Sequence, residues 1–133
     1  MNNYQKAIEN SNIVSKTDIN GIITFVNDEF CNLFGFKKDE LLGKNHNIIR
    51  HPDTPKENFE LLWNTILDKK VYKSTVKNIS KNGEDIYLNT TIIPILDEKE
   101  ENIVEFVAIR YDITNEVLLQ KELEEKQKII FLQ

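Results

Sequence analysis

Two Asn-Gly pairs constrain the fold of this chain more than any other feature of its sequence. Asn20-Gly21 and Asn82-Gly83 each separate two runs rich in β-branched and aromatic residues. Asn-Gly favours the positive backbone dihedrals of tight hairpin turns, so each pair predicts two neighbouring antiparallel strands. The residues between these two hairpins follow a helical pattern instead. The fold must therefore join two strand-rich ends through a helical middle.

Five runs of residues are predicted as strands, two before the helical middle and three after it. They show period-two alternation or short continuous apolar stretches, bounded by turn residues. We expect all of them to pair antiparallel. The predicted strands span 13–18, 22–26, 71–79, 85–96 and 103–112.

The middle of the chain is predicted to form several short helices. Gly35 and Gly43 interrupt apolar residues at helical spacing, so one long helix does not fit. Pro52 and Pro55 keep the following loop out of a regular helix. The best amphipathic helix comes after this loop, and its apolar face is predicted to carry Phe59, Leu62, Trp63, Ile66 and Leu67.

Both ends of the chain are also predicted to be helical. Residues 2–9 have apolar side chains at helical spacing and predict a short leading helix. Beyond Thr114, the residues Leu119, Leu123 and Ile130 form a narrow apolar stripe among many charges, which is typical of a short coiled coil. We expect a homodimer through this exit helix, and an effector domain after residue 133. The predicted division is a cap helix at 1–10, one domain at 11–114 and a linker or coiled-coil helix at 115–133.

The composition indicates one globular domain that acts in the cytoplasm. Hydrophobic residues make up 40% of the 133 residues and charged residues 29%, which allows a packed core. The net charge of −5, without a basic cluster, argues against nucleic-acid binding. No apolar stretch is long enough to span a bilayer, and the polar residues 1–6 lack the apolar region of a signal peptide. The single Cys31 allows neither an internal disulfide nor a Cys-based metal site.

The order of the predicted elements indicates an α+β fold. One five-stranded antiparallel sheet would carry short helices on one face, with a helix leaving the domain at its end. A ligand cavity between the sheet and the helices follows from this arrangement.

Six motifs in this chain resemble those of PAS domains in order and spacing. Each motif is weak alone, but the combination is specific. The resemblance covers residues 11–116 and implies a PAS fold, a sensory role without catalysis, and a C-terminal signalling helix. The motifs are Asn27-Asp28-Glu29-Phe30, Phe34-Gly35-Phe36, Glu40-Leu41-Leu42-Gly43-Lys44, Lys81-Asn82-Gly83-Glu84, Pro94 and Asp112-Ile113-Thr114.

The segment from His46 to Pro55 resembles more narrowly the PAS domains of the aerotaxis-receptor subgroup, which hold FAD noncovalently and report redox state. The chain departs from this subgroup at Tyr72, where the subgroup often has Trp. Trp63 would wall the pocket, and by the resemblance Ile86, Leu88, Thr90 and Ile92 would face it. The resemblance implies a cofactor site that contains Asn27, His46, Arg50, His51 and Asp53.

The light-sensing branch of PAS domains needs a cysteine in its pocket helix to bond flavin. Cys31 lies in an earlier segment, beside Phe30. We therefore do not expect blue-light adduct chemistry.

Several candidate site residues also have a structural interpretation. Arg50, His51 and Asp53 flank a turn that prolines constrain. They could bind a polar ligand there, or an ion pair between Arg50 and Asp53 could stabilise the loop itself. His46 could ligate haem iron or make a structural hydrogen bond. Arg110 falls on the inward face of the last strand, so it requires either a ligand or a carboxylate partner.

The sequence therefore predicts a sensor that binds FAD and relays redox or oxygen signals through its exit helix. One alternative is a PAS domain that binds haem or another small ligand, and a second is a ligand-free dimerisation module. An enzyme is not expected, because the chain has no nucleophile motif, phosphate loop or metal-ligand spacing.

Overall fold

The computed structural model describes residues 12–132, and its elements follow the predicted order. Strands β1 (Ile13–Thr17) and β2 (Ile23–Val26) come first. The middle contains α1 (Asp28–Phe34), α2 (Lys38–Leu41), a 3-10 helix (His46–Ile49) and α3 (Lys56–Leu67). The last elements are β3 (Tyr72–Ile79), β4 (Asp85–Leu96), β5 (Ile103–Asp112) and the exit helix α4 (Thr114–Leu132). The leading helix predicted at 2–9 lies outside the described residues.

The five strands form one antiparallel sheet in the order β2-β1-β5-β4-β3. This confirms the predicted α+β fold class and the predicted strand pairing. The first and last strands of the chain are neighbours in the centre of the sheet, where Ile13 is opposite Arg110 and Ser15 is opposite Ala108. This pairing places residues from the two ends of the sequence side by side.

The loops at the two Asn-Gly pairs are longer than the two-residue turns that this dipeptide favours. They span 18–22 and 80–84, and Gly21 and Gly83 have φ of 81° and 85°. In the first loop, Asp18 Oδ1 accepts hydrogen bonds from Asn20 N at 2.9 Å and from Ile22 N at 3.0 Å. The carboxylate satisfies backbone groups that strand pairing leaves free, so the wider loop is stable.

Helix α1 begins and ends at residues suited to those positions and contributes two phenylalanines to the core. Asn27 caps its start, because Asn27 Oδ1 accepts a hydrogen bond from Phe30 N at 3.0 Å. Gly35 ends it with φ of 78°. The rings of Phe30 and Phe34 lie 4.7 Å apart, both fully buried. They pack in one cluster with residues of the sheet and of the short helices, including Ile23, Leu41, Ile49 and Leu88.

The exit helix α4 extends from the end of β5 with no buried residue. Its junction with the domain is defined by Thr114, whose Oγ1 accepts a hydrogen bond from Tyr87 N at 3.0 Å. Further along, Lys121 Nζ donates to Tyr87 Oη at 2.8 Å. Within residues 12–132, no helix is both long enough and apolar enough to cross a membrane.

Candidate functional site

A cavity of about 300 Å³ lies between one face of the sheet and the segment that runs from the 3-10 helix through α3. This volume is at the lower end of the range for small-molecule sites. Thr90 and Ile92 line the cavity, as predicted, whereas Ile86 and Leu88 belong to the neighbouring core. The sheet also contributes Ser15, Thr17, Val76, Lys77, Asn78, Phe106, Ala108 and Arg110, and the helical side contributes His46, Ile49, Arg50, Phe59, Leu62, Trp63 and Ile66.

Arg110 is a buried cation on the cavity wall. Its side chain is 3% exposed, and burial lowers its pKa to about 9, so the guanidinium stays charged at neutral pH. Nη2 donates to His46 Nε2 at 2.9 Å. Nη1 is buried without a hydrogen-bond partner, and no carboxylate within residues 12–132 pairs with Arg110. Among these residues, Arg110 therefore belongs to no buried ion pair.

His46 lies in the 3-10 helix and faces Arg110 across the cavity wall. Its withdrawal from water, and next the positive charge of Arg110, lower the pKa of the imidazole to about 3. The neutral ring must use Nε2 as an acceptor, because Arg110 has only donors to offer. Ser15 Oγ lies 3.0 Å from the same Nε2. Ligation of haem iron through this nitrogen would therefore break two contacts.

Arg50 is exposed and lines the mouth of the cavity. Its guanidinium carbon lies 3.4 Å from the centroid of the Phe59 ring, which is a stacked cation–π contact. No ion pair joins Arg50 to Asp53 in the described part of the chain. Arg50 therefore keeps its charge available at the opening.

The neighbouring His51 turns away from the cavity and is 6% exposed. Its Nδ1 accepts a hydrogen bond from Asp53 N at 3.0 Å, and its Nε2 donates to Asp85 Oδ1 at 2.8 Å. This second bond is the main cause of a lowered pKa at Asp85. The side chain of Asp53 is 81% exposed and does not line the cavity. His51 therefore ties its loop to the start of β4.

The other sequence-predicted site residues divide between the cavity and the framework. Trp63 lines the cavity, where its ring meets Phe106 edge-on with centroids 5.9 Å apart. Asn27 and Tyr72 are not among the lining residues. The side chain of Asn27 bonds Phe30 N of α1, Val14 N of β1 and Asn12 O just before β1, and Tyr72 pairs with Ile92 at the edge of the sheet.

Asn78 is a cavity residue that the sequence analysis did not identify. It is 8% exposed, and its Nδ2 donates to Ile49 O at 3.1 Å. Its Oδ1 is buried and has no hydrogen-bond partner among the residues that the structure describes. The available signal was period-two alternation on β3, which places Asn78 on the same face as Val76.

Cys31 does not line the cavity. It is partly buried against the hydrophobic core, and burial is the main cause of its raised pKa. Within residues 12–132, no group of acidic, histidine or cysteine side chains is arranged to hold a metal ion.

Known proteins resemble this chain along most of its length. The aerotaxis receptor of Escherichia coli (strain K12) is 32% identical over 114 residues, which cover 86% of this chain and 22% of that protein. A blue-light photoreceptor of Listeria monocytogenes is 37% identical over 102 residues, covering 77% of this chain and 40% of that protein. The chain thus spans well under two thirds of either relative.

Solved structures share the fold at lower identity. A structure from a study of a flavin analogue in a light-oxygen-voltage domain has a TM-score of 0.78, covers 96% of both chains and is 17% identical. The family model described as PAS domain matches residues 10–115. Since this match covers most of the chain and agrees with the sheet and helices described above, the chain belongs to the PAS domain family of sensory modules.

Proposed function

We propose that this domain is a cytoplasmic sensor that holds FAD noncovalently in its cavity and passes the redox state of the flavin to α4. The observation that carries the proposal is the buried Arg110, which within residues 12–132 has no carboxylate partner and keeps one unused donor on the cavity wall. Buried polar groups without partners are rare in folded proteins. A bound ligand with an acceptor group would supply the missing partner.

The residues of the cavity fit a flavin ring. Arg110 Nη1 is an unpartnered donor and Asn78 Oδ1 an unpartnered acceptor, both from residues that line the cavity. The polar edge of a flavin ring carries carbonyl acceptors next to a ring N–H donor, so it can satisfy both. Trp63 and Ile92 supply apolar contact surface for the ring, and Arg50 at the mouth can pair with phosphate oxygens of the dinucleotide tail.

When bound, a flavin supplies a group whose charge and hydrogen bonding change on reduction. In the chain itself, the hydrogen bonds of Arg110 and Asn78 would change with the state of the ligand. The resulting conformational change would pass through the sheet to α4. Such a relay requires that the domain has two conformations, and that the oxidised and the reduced flavin differ in their relative affinity for them. The similarity to an aerotaxis receptor and a blue-light photoreceptor supports a sensory role, and the similar fold of a domain studied with a flavin analogue supports a flavin site. The position of Cys31 outside the cavity favours redox sensing over thiol-adduct chemistry.

A second candidate function is a ligand-free dimerisation module. It is favoured by the exposed apolar side chains of α4, among them Leu119 at 57%, Leu123 at 48% and Ile130 at 71% exposure. A haem sensor is less well supported, because His46 Nε2 already accepts contacts from Arg110 and Ser15.

The absorption spectrum of the purified chain tests the proposal. We expect flavin absorption after expression with ample riboflavin, and release of FAD on denaturation, which chromatography separates from FMN. Arg110→Gln should lose the flavin, whereas the matched change Lys73→Gln, at an exposed position of β3 outside the cavity, should retain it. A wild-type chain without flavin, or one with a haem spectrum, would contradict the assignment.

A further inference from the structure

The ionisable side chains that line the cavity are all basic. They are Arg50, Arg110 and the neutral His46, and no Asp or Glu is among the lining residues in the described part of the chain. The side chain of Lys77 lies on the other face of the sheet, over the Tyr87 ring. The whole chain has the opposite balance, with 22 acidic and 17 basic residues. Lys77 has an acidic neighbour outside the cavity, since its Nζ lies 3.6 Å from Asp85 Oδ2. The deepest cation, Arg110, has no such neighbour among residues 12–132.

A buried guanidinium is costly unless an opposite charge compensates it. The partner that the structure provides for Arg110 is a neutral imidazole, which accepts one hydrogen bond at 2.9 Å but adds no negative charge. A carboxylate at the same place would have cancelled the charge. The uncharged imidazole of His46 instead fixes the orientation of the guanidinium without neutralising it. The positive charge of Arg110 therefore remains available to a ligand.

The His46 ring is itself held in place by its neighbours. Ser15 Oγ lies 3.0 Å from Nε2, and the Phe30 ring meets the imidazole edge-on with centroids 6.0 Å apart and planes at 76°. The centroid of the Phe30 ring also lies 5.5 Å from the guanidinium carbon of Arg110. Both partners of the His46–Arg110 hydrogen bond therefore rest on the same buried ring, which limits their freedom to turn away from each other.

We propose that His46 is a positioning residue that holds the Arg110 guanidinium toward the cavity, and that this pair makes the cavity select a ligand group carrying negative charge. The inference extends the proposed function, because it concerns the charge class of the ligand whether or not that ligand is a flavin. For a flavin site, it means that the anionic form of the ring is held more tightly than the neutral form. Arg110 Nη1 supplies the unused donor for that group.

Benzoate and benzamide test the charge preference, because they have nearly the same shape and differ in charge. The full chain, freed of any bound flavin and isotopically labelled, would be titrated with each compound while side-chain NMR shifts of Arg110 and His46 are followed. A charge-assisted hydrogen bond to a buried guanidinium should favour benzoate by about tenfold or more in Kd. Equal Kd values, or no binding of either compound, would overturn the proposal.

Three variants separate the positioning role of His46 from a purely structural one. Arg110→Gln should abolish the preference for benzoate. His46→Leu removes the acceptor and should reduce the preference, whereas His46→Gln keeps an acceptor oxygen and should retain most of it. If His46→Leu does not fold, the contrast between His46→Gln and Arg110→Gln still decides, because equal loss in both contradicts positioning by a neutral acceptor.

The outcome is also distinct from that of the flavin experiment. A chain that prefers benzoate but takes up no flavin would contradict the proposed function alone. A chain that binds flavin but shows no charge preference would overturn the role inferred here for His46 and Arg110.

Discussion

At the scale of single residues, the partly buried imidazole of His46 makes stability depend on pH. Its pKa is about 3 in the folded chain, against an ordinary value of 6.5. Between these values only the unfolded chain binds the proton, so acid favours unfolding. This group alone should lower the free energy of unfolding by up to about 1.4 kcal/mol for each pH unit below pH 6.5.

Urea unfolding of the wild type and of His46→Gln, at several pH values between 7 and 5, measures this effect. The wild type should lose stability toward pH 5, and the variant should show a flatter dependence, whatever its stability at pH 7. The lowered pKa of Asp85 contributes in more acidic solution, below this window. Identical pH dependence in both proteins would contradict the proton linkage assigned to His46.

Substitutions of two aromatic residues should have different effects on stability and on ligand binding. Phe30 is fully buried, so Phe30→Ala should cost about 3–5 kcal/mol of unfolding free energy. Trp63 is only partly buried on the cavity wall, so Trp63→Ala should cost less than this but should weaken ligand binding strongly. Denaturant unfolding without ligand and flavin content after purification give the two readouts. Equal losses of stability in both variants would count against this division.

At the scale of secondary structure elements, Tyr87 is the main attachment of α4 to the sheet. Its backbone bonds Thr114 and Ile113, and its hydroxyl accepts a hydrogen bond from Lys121 Nζ at 2.8 Å. Lys77, which pairs with Tyr87 and lies between the cavity residues Val76 and Asn78 on β3, places its Nζ over the same ring at 5.8 Å from the centroid. Tyr87 is thus placed to transmit a change at the cavity wall to α4.

Removing the hydroxyl of Tyr87 should loosen the first turns of α4 without unfolding the sheet. We expect faster amide hydrogen exchange in residues 115–122 of Tyr87→Phe, because the contact with Lys121 is lost while the ring remains. Tyr111→Phe, at an exposed tyrosine of β5, is the matched control and should leave this exchange unchanged. Unaltered exchange in Tyr87→Phe would show that Lys121 does not hold the helix.

At the scale of the whole molecule, the exposed stripe of α4 predicts association of two copies. Leu119 and Leu123 are about half exposed, and a partner helix would cover them. Sedimentation of the full chain should therefore show a concentration-dependent dimer. A chain ending at residue 115, and a Leu119→Lys, Leu123→Lys double variant, should stay monomeric. The same mass for all three at every concentration would exclude α4 as the dimer contact.

The fold was largely determined by local features of the sequence. The Asn-Gly pairs, the alternation of apolar residues and the glycines that end short helices act between residues close in the chain, so the five strands and the helical middle could be predicted. The division into 1–10, 11–114 and 115–133 stays a prediction, as does the dimer. The cofactor role of Arg50 and Trp63 also remains a prediction, although both do lie on the cavity wall.

The content of the site was decided by tertiary structure. Arg110 meets His46 instead of a carboxylate because the pairing of β5 with β1 brings it under the 3-10 helix, far away in sequence. His51 bonds Asp85 because its loop crosses the start of β4, and Asn78 reaches the cavity because of the side of β3 on which it falls. Such contacts depend on strand register and on the packing of distant segments. Spacing along the chain can assign a side chain to one face of a strand, but it does not give the register between strands or the packing of distant segments. The sequence therefore indicated polar candidates, and only the folded chain showed which of them lack partners.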